Sequence, residues 1–145
     1  RCRARRYISA LGSCTGLHTL NLSDCVSLRN ISALSSCIGL HTLDLSRCRA
    51  MRDISALGSC SSLHALDLTN CKLINISPLA GCGGLCELDL TDCGALGDIT
   101  ALGMCNSLQT LTLIGCYQLV LAHMPFLAHI PTVYLPESHV DAGDF

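Results

Sequence analysis

The chain has 145 residues, half of them apolar but only 3% aromatic, with no Trp, and a length in this range points to one domain. A core limited to Leu, Ile, Ala and Cys suits thin identical layers better than one bulky centre. The net charge of −2 excludes a strongly basic or acidic protein, yet residues 1–72 hold all nine basic residues against four acids, and residues 73–145 hold seven acids with no Lys or Arg. An elongated molecule with this distribution is expected to be electrically polar from end to end, which favours a partner of matching asymmetry or head-to-tail association.

Residues 1–8 open partway through a repeating unit: Cys2 stands 23 residues before Cys25, and Ile8 stands 23 before Ile31. The chain is therefore expected to be a fragment of a longer array. The full unit, L-x-x-L-x-L-x-x-C, runs Leu17–Cys25, Leu40–Cys48, Leu63–Cys71, Leu85–Cys93 and Leu108–Cys116, with starting leucines 23, 23, 22 and 23 residues apart. Within each unit the three leucines are expected to point inward from a short strand, and alternation puts the residues between them on an open face. An apolar residue (Leu28, Met51, Leu73, Leu96, Leu119) and an Ile (Ile31, Ile54, Ile76, Ile99) then re-enter the core. Ser or Thr follows, and in Ser77-Pro78 the Ser suits a helix N-cap and the Pro the first helical position. What remains before the next strand is enough for one turn of 3₁₀ or α helix.

After Cys116 the pattern decays but keeps its register, with Ile130-x-x-Val133-x-Leu135 as a sixth strand flanked by Pro131 and Pro136. Prolines belong at a sheet edge and blunt further strand addition. Residues 1–136 thus read as one array with a partial first repeat, five clear units and a degenerate terminal unit over 117–136, and residues 137–145 read as a tail. Residues 99–136 carry no charge, but His123, His129, Pro125 and Pro131 interrupt the run, so no membrane span is expected.

A fixed period in this range with this leucine spacing resembles the leucine-rich repeat family. The resemblance implies an α/β right-handed solenoid, with a concave parallel β-sheet and short 3₁₀ or helical convex segments. The cysteine closing each unit resembles the cysteine-containing class of ubiquitin-ligase substrate receptors. The short period and the I-S-x-L segment look more like the internalin-like and phosphatase-regulator class. Similar hybrid repeats occur in trypanosomatid surface and cyclase-regulator proteins.

Of twelve cysteines, Cys2, Cys25, Cys48, Cys71, Cys93 and Cys116 form one column, and Cys14, Cys37, Cys60, Cys82 and Cys105 a second; Cys86 lies outside both. Parallel Cβ vectors on stacked layers seldom give the disulfide dihedral. Free buried thiols are expected, forming a cysteine ladder, and they imply a reducing, cytoplasmic compartment over a secreted or surface one. Against this stand three glycosylation sequons, at Asn21, Asn30 and Asn75, two of which the repeat itself generates.

On the open face the register lines up His18, His41, His64, Cys86 and Gln109; then Thr19, Thr42, Ala65, Glu87 and Thr110; then Asn21, Asp44, Asp67, Asp89 and Thr112; and beyond them Asp24, Arg47, Asn70 and Asp92. Four groups spread along a stack cannot converge on one zinc ion, so no metal is expected at His18, His41, His64 and Cys86. His64 and Cys86 have the chemistry of a base and a nucleophile, but a flat strand face offers no oxyanion hole, so no catalysis is expected. Arg1, Arg3, Arg5 and Arg6, with Arg29, Arg49, Arg52 and Lys72, lack stacking aromatics, and nucleic acid is not an expected partner. The expected function is a non-catalytic protein–protein interaction module without a cofactor, holding a protein ligand with basic groups through His41, Thr42, Asp44, His64, Asp67, Glu87 and Asp89. A second reading makes the array the substrate-recognition or regulatory part of an enzyme complex, a ubiquitin-ligase receptor or cyclase regulator. A third makes it a surface adhesion repeat.

Overall fold

In the computed structural model, which describes residues 8–119 and 125–136, six three-residue strands form one parallel sheet in chain order. They are β1 (Thr19–Asn21), β2 (Thr42–Asp44), β3 (Ala65–Asp67), β4 (Glu87–Asp89), β5 (Thr110–Thr112) and β6 (Thr132–Tyr134). The central leucines stack in register, Leu20 on Leu43, Leu66, Leu88, Leu111 and finally Val133. The backbone ladder runs beyond the strands: His18 O accepts the N–H of both His41 and Thr42, and Arg47 N–H donates to Thr69 O at 2.7 Å. The arginine run at 1–6, residues 120–124 of the terminal unit, and the tail expected over 137–145 lie outside the described residues.

Each layer returns through one short 3₁₀ turn: Ser32–Ser36, Ser55–Ser59, Ser77–Gly81, Thr100–Met104 and Pro125–His129, with a single α-turn at Ile8–Leu11. Leu40, Leu43, Leu45, Met51, Ile54 and Leu57 of one layer are almost wholly buried, as are Leu63, Leu66, Leu68, Leu73, Ile76 and Leu79 of the next. The residues that alternation and the re-entry pattern turn inward are thus the core. A lone layer would leave both flanks of these side chains in water, so burial is shared between neighbours, as in other repeat arrays. At the far end Leu135 is half-exposed, because no further layer packs on it among the described residues.

The expected N-cap role of Ser is corrected. Ser77 is the first residue of its turn, with Pro78 directly behind it, and no side-chain bond caps the turn from the residue before. The cap comes from two residues upstream: Asn30 Oδ1 accepts Ser32 N–H, Asp53 accepts Ser55 N–H, Asn75 accepts Ser77 N–H and Asp98 accepts Thr100 N–H, all at 2.7–2.8 Å. These Asx turns satisfy an amide that has no helical partner. The same bond, together with the neighbouring hydroxyl, holds the carboxyls of Asp53 and Asp98 below the usual range.

The column Asp24, Arg47, Asn70, Asp92 does not belong to the open strand face. All four sit at φ of 57–59°, and Gly115 continues the column at φ 77°. Asp, Asn and Gly tolerate this left-handed region, which bends the chain out of the strand. Arg47 is the exception, and its guanidinium is held by Asp24 of the preceding layer, Nε to Oδ1 at 2.6 Å and Nη2 to Oδ2 at 2.7 Å. That fork lowers the Asp24 carboxyl and raises the Arg47 guanidinium.

Both cysteine columns bond the layer before them. Cys48, Cys71, Cys93 and Cys116 donate S–H to the carbonyls of Leu22, Leu45, Leu68 and Leu90 at 3.0–3.3 Å. Cys60, Cys82 and Cys105 do the same to Leu34, Leu57 and Leu79 at 3.2–3.5 Å. Burial disfavours the thiolate and pushes the thiols of Cys71, Cys82 and Cys93 up to about 12. Ten described cysteines are free. Cys25 is not: it is disulfide-bonded, so the expectation of free thiols throughout both columns does not hold at the N-terminal end.

Gly81 marks a very close contact between 3₁₀ turns, since a Cβ there would run into the carbonyl oxygen of Gly58 in the layer before. Gly81→Ala is expected to destabilise the array by about 1–3 kcal/mol in urea unfolding, the range for forced overpacking. In native protein at mildly alkaline pH, a thiol reagent is expected to label exposed Cys14 and half-buried Cys86 quickly and the eight fully buried free thiols only as the fold opens. Because the Asp53 and Asp98 carboxyls are depressed in the fold, their stabilisation is present above the ordinary carboxylate pKa and lost as pH falls through the folded value. Asp98→Asn should keep the turn, as Asn30 and Asn75 do, and flatten the loss of melting temperature measured from about pH 6 to about pH 3.

Candidate functional site

The open face of β2 to β5 forms a shallow trough of about 350 Å³, floored by Leu43, Leu66 and Leu88 and walled by Thr42, Asp44, Ala65, Asp67, Glu87, Asp89, Thr110 and Thr112. Strand pairing sets Asn21, Asp44, Asp67, Asp89 and Thr112 side by side, and adjacent strands lie about 4.8 Å apart. Three carboxylates in a row at that spacing repel one another.

Local geometry explains why they stand there. Asp44 Oδ1 accepts Ser46 N–H at 2.9 Å, and Asp67 and Asp89 accept Thr69 and Thr91 N–H at 2.8 Å. Asn21 does the same for Ser23, and its Nδ2 donates across the layer to Asp44 Oδ2 at 3.0 Å. Asn21, Asp44, Asp67 and Asp89 therefore each close an Asx turn at the strand's end with one side-chain oxygen. Asp67 and Asp89 keep their second oxygen free of protein hydrogen bonds among the described residues. The one described ion pair, Arg47 with Asp24, lies on the left-handed turns and not in the trough.

Along the trough's rim run His18, His41 and His64. Their Nδ1–H groups donate to the carbonyls of Gly39, Gly39 and Ser62 at 2.9, 2.7 and 2.6 Å. A carbonyl only accepts, so Nδ1 carries the proton and Nε2 is left for solvent or a ligand. The rings contact one another, His18 on His41 edge-on at 5.2 Å and His41 on His64 stacked at 5.1 Å. Cys86 continues the column by donating to Gly84 O at 3.4 Å. His64 and Cys86 are thus each turned to a backbone carbonyl and do not pair as base and nucleophile. Among the described residues no three His, Cys, Asp or Glu side chains converge on a point that could hold a metal ion. No described helix is long and apolar enough to cross a membrane.

Of the residues singled out in the sequence, Thr42, Asp44, Asp67, Glu87 and Asp89 share the trough, and His41 and His64 stand at its edge. Missed were the structural half of each aspartate's work and the apolar end of the face. Ile114 and Tyr134 are exposed beside the last strands, and their break from a polar column (Ile114 after Ser46, Thr69 and Thr91; Tyr134 after Asp67, Asp89 and Thr112) was the available signal.

Repeat, register and single parallel sheet define a leucine-rich-repeat solenoid with a cysteine ladder. No family model and no curated protein matches the chain. Among solved structures it is similar to internalin C2 of Listeria monocytogenes, at 22% identity and TM-score 0.67 over 83% of this chain and 62% of that one. It is also similar to the internalin inlF of the same organism, at 23% identity and TM-score 0.60 over 89% and 44%. A third is the functional domain of Listeria InlJ, which includes a cysteine ladder, at 15% identity and TM-score 0.58 over 75% and 22%. At these identities the likeness is one of fold, and the chain spans less than two thirds of each neighbour.

The expected cytoplasmic, reducing compartment is overturned. The neighbours are Listeria internalins, which are surface or secreted proteins, and they point away from that location; one of them carries a cysteine ladder of its own. The inference failed because it treated a free thiol as a reporter of the surroundings. Buried thiols tied to carbonyls, with the thiolate suppressed, are shielded from oxidants wherever the protein resides.

The two tasks of each trough aspartate are separable. Asp67→Asn should keep the bond to Thr69 N–H and leave the urea midpoint nearly unchanged. Asp67→Ala removes that bond and should lower stability by about 1 kcal/mol.

Proposed function

We propose that the array is a non-catalytic protein-interaction module whose concave face holds a protein ligand presenting basic groups. The observation that carries this reading is the trough itself, where Asp44, Asp67 and Asp89 stand on three consecutive strands beside Glu87. The fold needs one oxygen of each aspartate for its turn, and an amide serves that purpose equally well at Asn21. The excess negative charge on three neighbouring layers is therefore not required by the turns, and a cationic partner would relieve its repulsion. Thr42 and Thr110 offer hydroxyls at the walls, and His41 and His64 a free Nε2 each at the rim. An open trough on a flat sheet, without enclosed volume or aligned donors for a developing oxyanion, favours binding over catalysis.

A random peptide library selected on the immobilised array is expected to yield Lys- and Arg-rich sequences. Asp67→Asn with Asp89→Asn should weaken the selected peptides about tenfold or more, mainly by faster dissociation, and reduce their salt dependence. Enrichment of neutral peptides whose binding ignores both substitutions and added salt would defeat the proposal.

A further inference from the structure

On the loops that follow the strands, away from the sheet face, Arg29, Arg49, Arg52 and Lys72 line one groove of about 410 Å³. They come from three successive layers, so the groove runs along the solenoid rather than around it. All four side chains are exposed, and none has an ion-pair partner among the described residues, where the only ion pair is Arg47 with Asp24. The one acid in the groove, Asp53, already spends an oxygen on Ser55 N–H. Four of the nine basic residues of a chain with net charge −2 are thus gathered in one place against a single lining carboxylate, Asp53.

We propose that this groove is a binding site for a sulfated polysaccharide. Three features favour that ligand. Cations on consecutive layers, spaced by about 4.8 Å per layer, match a linear chain bearing repeated oxyanions better than a single phosphate. Arginine forks take sulfate or phosphate oxygens in pairs. No aromatic side chain lines the groove, so it lacks the stacking platform that single-stranded nucleic acid uses. The site is separate from the acidic trough, and either can fail without the other.

Fluorescein-labelled heparin oligosaccharide, titrated with the intact chain at about 0.15 M salt, is expected to bind, while the same oligosaccharide chemically desulfated is not. Replacing Arg29, Arg49, Arg52 and Lys72 together by Gln should weaken binding at least tenfold and reduce the slope of log affinity against log salt by two or more, since each contact contributes just under about one. Circular dichroism of the variant checks that the array is still folded, and Arg49→Lys with Lys72→Arg should retain most of the affinity. Equal binding of the desulfated chain, undiminished binding by the folded Gln variant, or loss only when Arg1, Arg3, Arg5 and Arg6 are neutralised would each overturn the assignment. Tighter binding of oligo-dT or of phosphatidylserine vesicles than of heparin, abolished by the same four substitutions, would overturn the choice of polysaccharide.

Discussion

A carbonyl buried between two layers has no water to turn to, and in this chain a thiol from the next layer answers it. Leu45 O accepts Cys48 N–H from its own unit and Cys71 S–H from the following one; Leu57 O is served in the same way by Cys60 and Cys82. An S–H is a weak donor, so the bond itself contributes little. Its value lies in what the sulfur does at the same time, filling apolar space as a small hydrophobe while giving the leucine carbonyl it meets a second partner. Because the thiol must meet a carbonyl one layer back, every column is locked to its neighbour. The unit between Cys71 and Cys93 is one residue shorter than the others, and the bonds spanning it simply reach back 25 residues instead of 26. The missing residue is absorbed in the loop after Cys71, where register is not at stake.

That locking divides the surface into positions the fold uses and positions it leaves free. Asx turns take one oxygen from Asp44, Asp67 and Asp89, and a carbonyl takes Nδ1 of each rim histidine. The second oxygen of Asp67 and of Asp89, and Nε2 of each rim histidine, are then presented in fixed directions at a fixed repeat. Such side chains lose little further freedom on binding, which is the advantage of preorganisation. A repeat array therefore offers partners a row of already oriented groups, with chemistry set by which residue each layer happens to place in the column.

Most of the architecture was legible because burial leaves few choices. Leu43 can only point inward once Thr42 and Asp44 point out, and the spacing from Cys48 to Cys71 states the layer period directly. The cap was less legible: Ser77 and Asn75 both suit the start of a turn, and only backbone direction shows that Asn75 supplies the bond. Arg47 concealed the left-handed turn, since its neighbours in the column, Asp24, Asn70, Asp92 and Gly115, carry the composition that marks one. The trough residues could be read from alternation, yet their structural duty could not, because the same Asp serves a turn and a ligand without changing the pattern. The compartment was misread for a different reason, thiol burial being a property of the fold and not of its surroundings.

The lengthwise charge asymmetry of the sequence acquires a second dimension in the fold. Asp44 and Asp67 face the trough from the layers whose outer loops carry Arg49, Arg52 and Lys72, so the same repeats are acidic on the sheet and basic on the loop side. None of these basic side chains pairs with a trough carboxylate among the described residues, and solvent and salt screen the attraction between them. The arrangement therefore contributes little to folding, while it lets two partners of opposite sign approach the same layers without competing. It also bears on association between copies, because the acidic sheet of one molecule and the basic loops of another do not lie at opposite ends of a rod. Pairing by charge would set the acidic sheet of one solenoid beside the basic loops of another.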